Sequence, residues 1–394
     1  MRILIVSQYY YPEQFQINEI APELVRRGHE VTVLTGLPNY PQGDIYPGYE
    51  NRGGTEEIIN GVRVIRVPLR PRKSGSVNLA KNYLSFVREG NKAAKRIKDM
   101  FDVVLCYELS PVTQVIPASR IAKKQRIPLL LYCLDIWPDC AMAHVMKGPV
   151  YGMIRVLSKY SYNLCDYIAV TSRPFIDYLS RNHGFDRNKM SYIPQHADES
   201  YLKLDLSSPD NGISDFMYAG NLGLGQRVDV IIRAVAELKD MDFKVHIVGD
   251  GSQRQALETL VKQLEVEDKV IFYGNQKRDD MPTYYQKADA LLLTLRGDNA
   301  VGNTMPGKLQ TYMACGKPIF GAINGAADET IRDAHCGACV QAGDYEGLAC
   351  LMMSYIDNPA NYKACGKNAK DYFEKHFTLK QYCDDLERLL EKIT

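Results

Sequence analysis

The sequence predicts an α/β protein made of two doubly wound domains, each with a parallel sheet. Short apolar runs alternate with segments of helical period along the chain, which is typical of βαβ units. The turn-rich stretch 207–212 interrupts this alternation, which then restarts. Since 394 residues are enough for two ordinary domains, we expect a first domain over residues 1–205 and a second over 206–378. The amphipathic last helix, Leu379–Ile393, could pack on either one.

The individual elements follow from the hydrophobic period and from helix-ending residues such as Gly28. A long basic helix is predicted to start at Asn78 and end at Met100. Strands are predicted at 3–6, 30–34, 61–68, 103–106, 128–133 and 167–170 in the first domain, and at 215–218, 243–248, 270–273, 290–293 and 318–321 in the second.

Composition excludes several classes of protein. The net charge of +1 indicates no nucleic-acid partner. The ten cysteines are scattered over a long chain, unlike the dense cysteines of small secreted scaffolds. The first apolar run is too short for a signal peptide, and no apolar run is long enough to span a membrane. We therefore expect a cytoplasmic protein. The cations of the helix from Asn78 to Met100 would allow peripheral attachment to the inner face of the plasma membrane, although a solvated helix face is the commoner origin of such a pattern.

Ligands of doubly wound sheets bind beyond the carboxyl ends of the strands, and two such domains facing one another would form a cleft. In the second domain, two of these loops are rich in glycine, which lets a backbone approach a ligand closely. Each could also be an ordinary turn. The candidate residues in these loops are Gly220, Asn221, Gln226, Arg227, Gly249, Asp250 and Gly251.

The long polar loop after strand 290–293 is the most informative segment of the second domain. It contains Asn303 and Thr304 and leads through Pro306, a favourable first-turn residue, into a helix carrying Lys308. Free N–H groups at the helix start, a hydroxyl and an ammonium group would converge on an anion. We therefore expect a phosphate-binding role here, because long loops in compact domains tend to be functional.

In the first domain, the loop after the first strand carries Gln14, Phe15 and Gln16, where a cleft loop should lie. The loop after strand 128–133 carries Asp135 and Trp137, the only tryptophan. An aromatic ring beside carboxylates can hold a sugar, because the ring packs on the apolar face of the sugar and the carboxylates accept hydrogen bonds from the sugar hydroxyls. A packed tryptophan at a loop corner is an equally good interpretation. The seven histidines form no metal-binding pattern, and we expect neither metal nor cofactor.

Several motifs resemble glycosyltransferase family four. They are Gly28-His29-Glu30-Val31-Thr32-Val33-Leu34-Thr35, Ile247-Val248-Gly249-Asp250-Gly251 and Tyr312-Met313-Ala314-Cys315-Gly316-Lys317-Pro318-Ile319. Two further stretches, 135–138 and 219–223, resemble the WbuB-like enzymes of bacterial O-antigen and capsule synthesis. The resemblance implies a GT-B fold, a nucleotide-sugar donor in the second domain, an acceptor on the first, retention of anomeric configuration and no required metal. It also implies that the last helix, residues 379–394, joins the first domain.

The chain departs from the family at charged positions. Two glutamates common in the family fall on Asn303 and Thr311, and a diphosphate-binding Arg and Lys fall on Asn221 and Gln226. A departing diphosphate still needs charge compensation. Lys308 is the first candidate for that role, followed by the two arginines Arg227 and Arg296.

A histidine that family members often carry falls on Leu134. The neighbouring Asp135 is then the nearest polar group to the reacting centre, as a hydroxyl acceptor or cation stabiliser. Base contacts are expected from Asn275, Gln276 and Lys277.

The function implied is that of a retaining, metal-independent hexosyltransferase in bacterial surface-polysaccharide synthesis. It would move a sugar from a UDP-sugar to a lipid-linked saccharide, and an N-acetylated amino sugar is one option for the transferred sugar. The alternatives are a UDP-sugar 2-epimerase of the same fold and a catalytically silent subunit, for which the missing glutamates argue.

Overall fold

The computed structural model describes residues 1–50, 54–139, 148–297 and 304–394. The chain forms two compact units. Unit 1 comprises Met1–Gln195 and Leu379–Thr394, and unit 2 comprises His196–Thr378. The boundary lies ahead of the predicted position, residue 205, because Tyr201 and Leu206 are buried in an apolar core cluster of unit 2. Asn303 lies outside the described residues.

The described strands of unit 1 are β1 (Arg2–Val6), β2 (Glu30–Gly36), β3 (Glu56–Ile59), β4 (Val62–Val67), β5 (Val103–Glu108), β6 (Leu129–Cys133), β7 (Tyr167–Val170) and β8 (Met190–Tyr192). They form a sheet in the order β3-β4-β2-β1-β5-β6-β7-β8. The helices are α1 (Ile17–Arg26), α2 (Ser76–Arg96), α3 (Val115–Gln125), α4 (Pro149–Tyr162), α5 (Pro174–Tyr178) and, from the carboxyl end of the chain, α13 (Leu379–Ile393). Apolar clusters cover both faces of the sheet, as expected of a parallel sheet between two helix layers.

Three features of unit 1 differ from the prediction, and the first is the short strand β8, which was not predicted. An antiparallel edge strand, β3, pairs with β4 through a turn in which Asn60 and Gly61 both have positive φ. Asn-Gly is the typical sequence of such a two-residue hairpin. Helix α2 ends at Arg96 rather than at Met100, because Ile97 adopts an extended conformation and is buried.

The described strands of unit 2 are β9 (Ser214–Ala219), β10 (Phe243–Val248), β11 (Val270–Gly274), β12 (Ala290–Thr294), β13 (Ile319–Ala322) and β14 (Gly337–Val340). They form a parallel sheet in the order β11-β10-β9-β12-β13-β14. The described helices are α6 (Val228–Glu237), α7 (Arg254–Gln263), α8 (Met281–Gln286), α9 (Gly307–Cys315), α10 (Ala326–Asp333), α11 (Tyr345–Asp357) and α12 (Cys365–His376).

The strand orders locate the crevices of the two sheets. In unit 1 the order reverses at β1, which lies between β2 and β5, and in unit 2 it reverses at β9, which lies between β10 and β12. Ligands of open α/β sheets bind beyond the carboxyl ends of the strands at such reversals. No helix in the described ranges is both long and apolar enough to cross a membrane.

Candidate functional site

The crevice of unit 2 is formed where the loops after β9 and β10 touch. The N–H of Gly220 donates to the carbonyl of Val248 (2.9 Å), and the N–H of Gly249 donates to that of Gly274 (2.8 Å). A Cβ on Gly249, whose φ is +133°, would lie 2.0 Å from the carbonyl oxygen of Gly220. Gly249 is therefore required for the close contact of these loops.

A second close contact lies beside the first. The N–H of Leu222 donates to the carbonyl of Asp250 (2.9 Å). A Cβ on Gly251 would lie 2.6 Å from the side-chain oxygen of Asn221. The Asp250 carboxylate accepts the N–H of Gly251 (2.7 Å) and pairs with Arg254 (3.2 Å). These contacts hold Asn221 and Asp250 at the rim of the crevice.

Lys308 enters the same crevice from the second residue of α9. Its ammonium donates to the hydroxyl of Tyr218 (2.6 Å) and to the side-chain oxygen of Gln226 (2.6 Å). The Nζ atom lies 2.9 Å from the position of a Cβ on Gly220. Within the described parts of the chain this ammonium forms no ion pair with a carboxylate, and burial lowers its pKa to about 7. A buried cation without a counter-ion, next to N–H groups at a helix start, is suited to an anionic ligand.

Gln226 is held so that it can accept from this lysine. The hydroxyl of Thr294 donates to the Gln226 carbonyl (2.7 Å), and the Tyr218 hydroxyl lies 3.4 Å from its side-chain oxygen. The next residue, Arg227, has a positive φ of 51° and forms a bidentate ion pair with Asp229 (2.9 and 3.0 Å). The charge of Arg227 is therefore partly neutralised, whereas Lys308 has no carboxylate partner among the residues that the structure describes.

A cleft of about 410 Å³ opens beside the glycine contact. Among the predicted base-binding residues, Asn275 and Gln276 line it and Lys277 does not; Lys277 is exposed. The hydroxyl of Thr311 donates back to the carbonyl of Gly307 (3.4 Å), and Thr304 lies just before α9. The cleft is lined by Ala219, Gly220, Asn221, Val248, Gly249, Asp250, Asn275, Gln276, Met281 and Tyr285.

The crevice of unit 1 holds a pair of carboxyl groups. Asp135 follows β6, and burial raises its pKa to about 6. Glu108, the last residue of β5, pairs in register with Cys133 and is fully buried. Burial, with a contribution from the Asp135 charge, raises the pKa of Glu108 well above its usual range. Because two such groups do not ionise together easily, we expect Glu108 to be neutral and Asp135 to carry the charge.

Trp137 is half-buried, and its polar groups are occupied. Its backbone N–H donates to the hydroxyl of Tyr162 (2.9 Å), and its indole N–H donates to the hydroxyl of Ser110 (3.2 Å). Its ring meets Tyr83 edge to face at 6.2 Å. Any sugar contact from this side chain would therefore come from the ring and not from the indole N–H.

Phe15 belongs to a three-ring cluster that the sequence did not predict. Its ring lies 5.5 Å from that of Tyr9 and 5.4 Å from that of Tyr40. The guanidinium of Arg72 lies 5.2 Å from the centre of the Tyr40 ring and donates to the hydroxyl of Tyr9 (3.2 Å). The buried carboxyl of Glu13 anchors the cluster by accepting the backbone N–H of Tyr40 (2.7 Å). We call Tyr9, Phe15, Tyr40 and Arg72 the aromatic cluster.

The two glutamines beside Phe15 have mainly local contacts. Gln14 is exposed and donates to the carbonyl of Pro12 (3.2 Å), while Gln16 caps the start of α1 through its carbonyl. Sequence reasoning missed Tyr9, Tyr40 and Arg72 because they come from separate loops. The many aromatic residues in the loops after the first two predicted strands were the sequence feature that could have indicated this cluster. Among the described residues, no three metal-ligating side chains come together.

Two family models match the chain, one in each unit. The family described as "Glycosyl transferase 4-like domain" matches residues 14–196, and "Glycosyl transferases group 1" matches residues 209–372. One relative is the "N-acetyl-alpha-D-glucosaminyl L-malate synthase" of Bacillus anthracis, 26% identical over 91% of this chain and 88% of the relative. Another is the "Putative colanic acid biosynthesis glycosyl transferase WcaI" of Escherichia coli (strain K12), 24% identical over 98% of this chain and 100% of the relative.

The fold also matches solved structures. The structure of Anabaena Alr3699/HepE in complex with UDP has a TM-score of 0.72 at 15% identity and covers 100% of both chains. The same protein in complex with UDP-glucose has a TM-score of 0.69 at 15% identity, again covering 100% of both chains. This likeness concerns the fold, which is GT-B. With a glycosyl transferase 4-like domain followed by a group 1 glycosyl transferase domain, the chain belongs to the GT-B glycosyltransferases of family four.

Proposed function

We propose that this glycosyltransferase binds a UDP-sugar in unit 2 and transfers the sugar, with retention of configuration and without a metal, to a lipid-linked saccharide. The observation that best supports this proposal is the position of Lys308 at the start of α9, beside the Gly220–Gly249 contact. Its ammonium is buried and has no counter-ion in the described chain. The UDP complexes of HepE support the choice of nucleotide, since that protein shares the fold. The name of the WcaI relative, a putative colanic acid biosynthesis glycosyl transferase, supports a role in bacterial surface-polysaccharide synthesis. The proposal also includes a WbuB-like enzyme that works at the cytoplasmic face of the membrane.

In this mechanism the donor diphosphate occupies the crevice of unit 2. Lys308 and the N–H groups that begin α9 stabilise its growing charge as the glycosidic bond breaks. The acceptor hydroxyl attacks from the face that the diphosphate leaves, and a phosphate oxygen takes the proton. The carboxylate of Asp135 would stabilise the positive charge that develops on the sugar, or accept a hydrogen bond from a hydroxyl group. The aromatic cluster and Trp137 would bind acceptor sugars through their ring faces.

The donor is identified by a thermal-shift screen of UDP-, GDP- and dTDP-sugars, followed by transfer assays with the best binder. The UDP-sugars should raise the melting temperature most, because ligand binding to the native state stabilises it. NMR of the product should show that the new linkage has the same anomeric configuration as the sugar of the donor. Preference for another nucleotide, or an inverted product, would refute that part of the proposal. Binding without transfer or hydrolysis would favour a silent subunit, and epimerisation of the free donor would favour a 2-epimerase.

Replacing Asp135 by asparagine should remove a pH dependence. In the native protein, kcat should rise as pH increases through about 6, because the carboxyl loses its proton there and gains the charge that stabilises the sugar cation. In Asp135→Asn, kcat should be low and flat over the same interval. The measurement is kcat against pH from 5 to 8 at saturating donor and acceptor. An unchanged acidic limb in the variant would assign it to another group.

We expect the guanidinium of Arg72 to bind phosphate when the lipid-linked acceptor carries a diphosphate, so replacing Arg72 by alanine should weaken binding of that acceptor. A hydrogen bond to a charged partner contributes about 1.5–3 kcal/mol, so the KM for that acceptor should rise by about 10–100-fold. The KM for donor should stay the same, since Arg72 lies in unit 1. Lys73→Ala removes a neighbouring exposed cation and serves as control. An equal loss with a phosphate-free saccharide acceptor would mean that Arg72 only supports the rings of Tyr9 and Tyr40.

A further inference from the structure

One asparagine interrupts the apolar row on the buried face of α2. The buried side chains of this helix recur every four residues, and three positions of the row are Phe86, Gly90 and Ala94. Asn82 takes the first position and is fully buried. Asparagine is a poor helix former, and burying an amide costs free energy unless its polar groups find partners. A leucine would satisfy the same helical period without that cost.

The Asn82 amide has partners for its oxygen and its nitrogen. Its Oδ1 atom accepts from the side chain of Gln8 (2.7 Å). Its Nδ2 atom donates to the side-chain oxygen of Asn39 (3.1 Å) and to the backbone carbonyl of Arg70 (2.6 Å). Because a backbone carbonyl can only accept, the contact with Arg70 fixes the orientation of the amide. The three partners lie in the loops after β1, β2 and β4.

Each of these three loops carries a member of the aromatic cluster. Gln8 precedes Tyr9 in the chain, and Asn39 precedes Tyr40. In the loop after β4, the backbone N–H of Arg72 donates to the Asn39 side-chain oxygen (3.1 Å). The same amide contacts therefore hold the backbone that carries two rings and one guanidinium of the cluster.

Two further contacts join these loops in pairs. The Glu13 carboxyl, in the loop after β1, accepts the backbone N–H groups of Asn39 (2.8 Å) and Tyr40 (2.7 Å) in the loop after β2. Arg72 donates to the hydroxyl of Tyr9 (3.2 Å). Asn82 differs from these because it belongs to a helix and contacts all three loops. Since a helix is a more precise support than a loop, the amide sets their common position.

We propose that Asn82 is a positioning residue for the acceptor, which holds the loops after β1, β2 and β4 in the arrangement that the aromatic cluster needs. The inference rests on the proposed function, because it takes from it the role of the cluster in binding acceptor sugars. Asn82 is fully buried, so it acts through its three partners and not by touching substrate. Loss of the amide should therefore impair acceptor binding and leave the donor crevice, which lies in unit 2, unaffected.

The variants Asn82→Leu and Asn82→Asp test the proposal in the full chain. Leucine is similar in size and has no hydrogen-bonding group, whereas aspartate keeps the acceptor for Gln8 and loses both donations. In each variant the KM for acceptor should rise by about 10–100-fold, because misplacement by about 1 Å can have an effect of that size. The KM for donor should stay close to native. Hydrogen-exchange mass spectrometry should show faster exchange in the three loops, since they lose hydrogen bonds that hold them.

Ile97→Ala is the matched control, because Ile97 is buried at the carboxyl end of the same helix. This variant should lower the melting temperature through the cavity that it leaves. Its KM for acceptor and the exchange rates of the three loops should remain native. Where the Asn82 variants do not fold, Gln8→Met removes one of the three hydrogen bonds and should raise the KM for acceptor by a smaller factor.

A native KM for acceptor in the folded Asn82 variants, or in Gln8→Met where those do not fold, would overturn the proposal. So would unchanged exchange in the three loops. An equal rise of this KM in Ile97→Ala would also overturn it, because the rise would then follow from lost stability alone. If the native protein transferred no sugar, the proposed function would fail by itself, and the exchange rates would still decide whether Asn82 holds the loops.

Discussion

Replacing Lys308 by alanine is expected to lower kcat for sugar transfer by about 10²–10³-fold, the usual loss when one group that stabilises transition-state charge is removed. The reason is specific to this chain. Gln226, where the family resemblance places a cation, is neutral, and Arg227 is paired with Asp229. We therefore expect the ammonium of Lys308 to provide most of the charge compensation for the proposed donor diphosphate. The measurement is steady-state transfer with the donor found in the nucleotide screen.

The folding of the variant should survive. Lys308 is buried without a counter-ion in the described chain, so its removal relieves a desolvated charge rather than breaking an ion pair. Lys262→Ala, an exposed lysine on α7, is the matched control and should retain full activity. If Lys308→Ala transferred sugar at the native rate, Lys308 would have no role at the diphosphate, and Arg296 would be the next residue to test.

The pH dependence of donor binding provides a second readout of Lys308. Because burial lowers its pKa to about 7, the free protein loses the ammonium charge as pH rises through that value. An anionic donor favours the charged form, so donor binding should take up protons and weaken above about pH 7. Calorimetric titration between pH 6 and 9 should show this slope in the native protein and a reduced slope in Lys308→Met.

Replacing Gly249 by alanine is expected to abolish donor binding and to destabilise unit 2 by about 2–6 kcal/mol, the sum of a strained backbone and of overpacking. The added Cβ would lie 2.0 Å from the carbonyl oxygen of Gly220, at a φ of +133° that residues with side chains rarely adopt. Neither the backbone of Gly220 nor that of Gly249 can yield without separating the two loops. Thermal unfolding and calorimetric titration with the donor measure the two effects.

Gly225→Ala is the control, from the glycine-rich loop after β9 that Gly249 contacts through Gly220. A Cβ on Gly225 would meet nothing within 4 Å, and its φ is not positive. Stability and donor affinity should therefore remain close to native. An equal loss of stability and donor affinity in both variants would mean that the two loops need general flexibility. Unchanged donor binding in Gly249→Ala would mean that the loops can separate at little cost.

The sequence by itself determined the two parallel-sheet domains, because hydrophobic period and glycine placement are local properties that survive without knowledge of contacts. It also placed Lys308 at a helix start and Gly249 after a strand, where parallel sheets bind ligands. The edge hairpin at Asn60 and Gly61 was equally local, but the alternation of its short, half-exposed strand was too weak to be recognised.

Only the tertiary structure decided which of these residues act together. Three features join segments that are far apart in the sequence. They are the contact of Gly220 with Gly249, the hydrogen bond from Lys308 to Tyr218, and the aromatic cluster. The burial of the Lys308 ammonium without a carboxylate partner in the described ranges is a property of the folded interior, and no local pattern encodes it. The same is true of α4, whose apolar residues would be assigned to a core by period alone. The packing of unit 1 turns its serines inward instead, because side-chain orientation is set by the neighbours of a helix as well as by its own sequence.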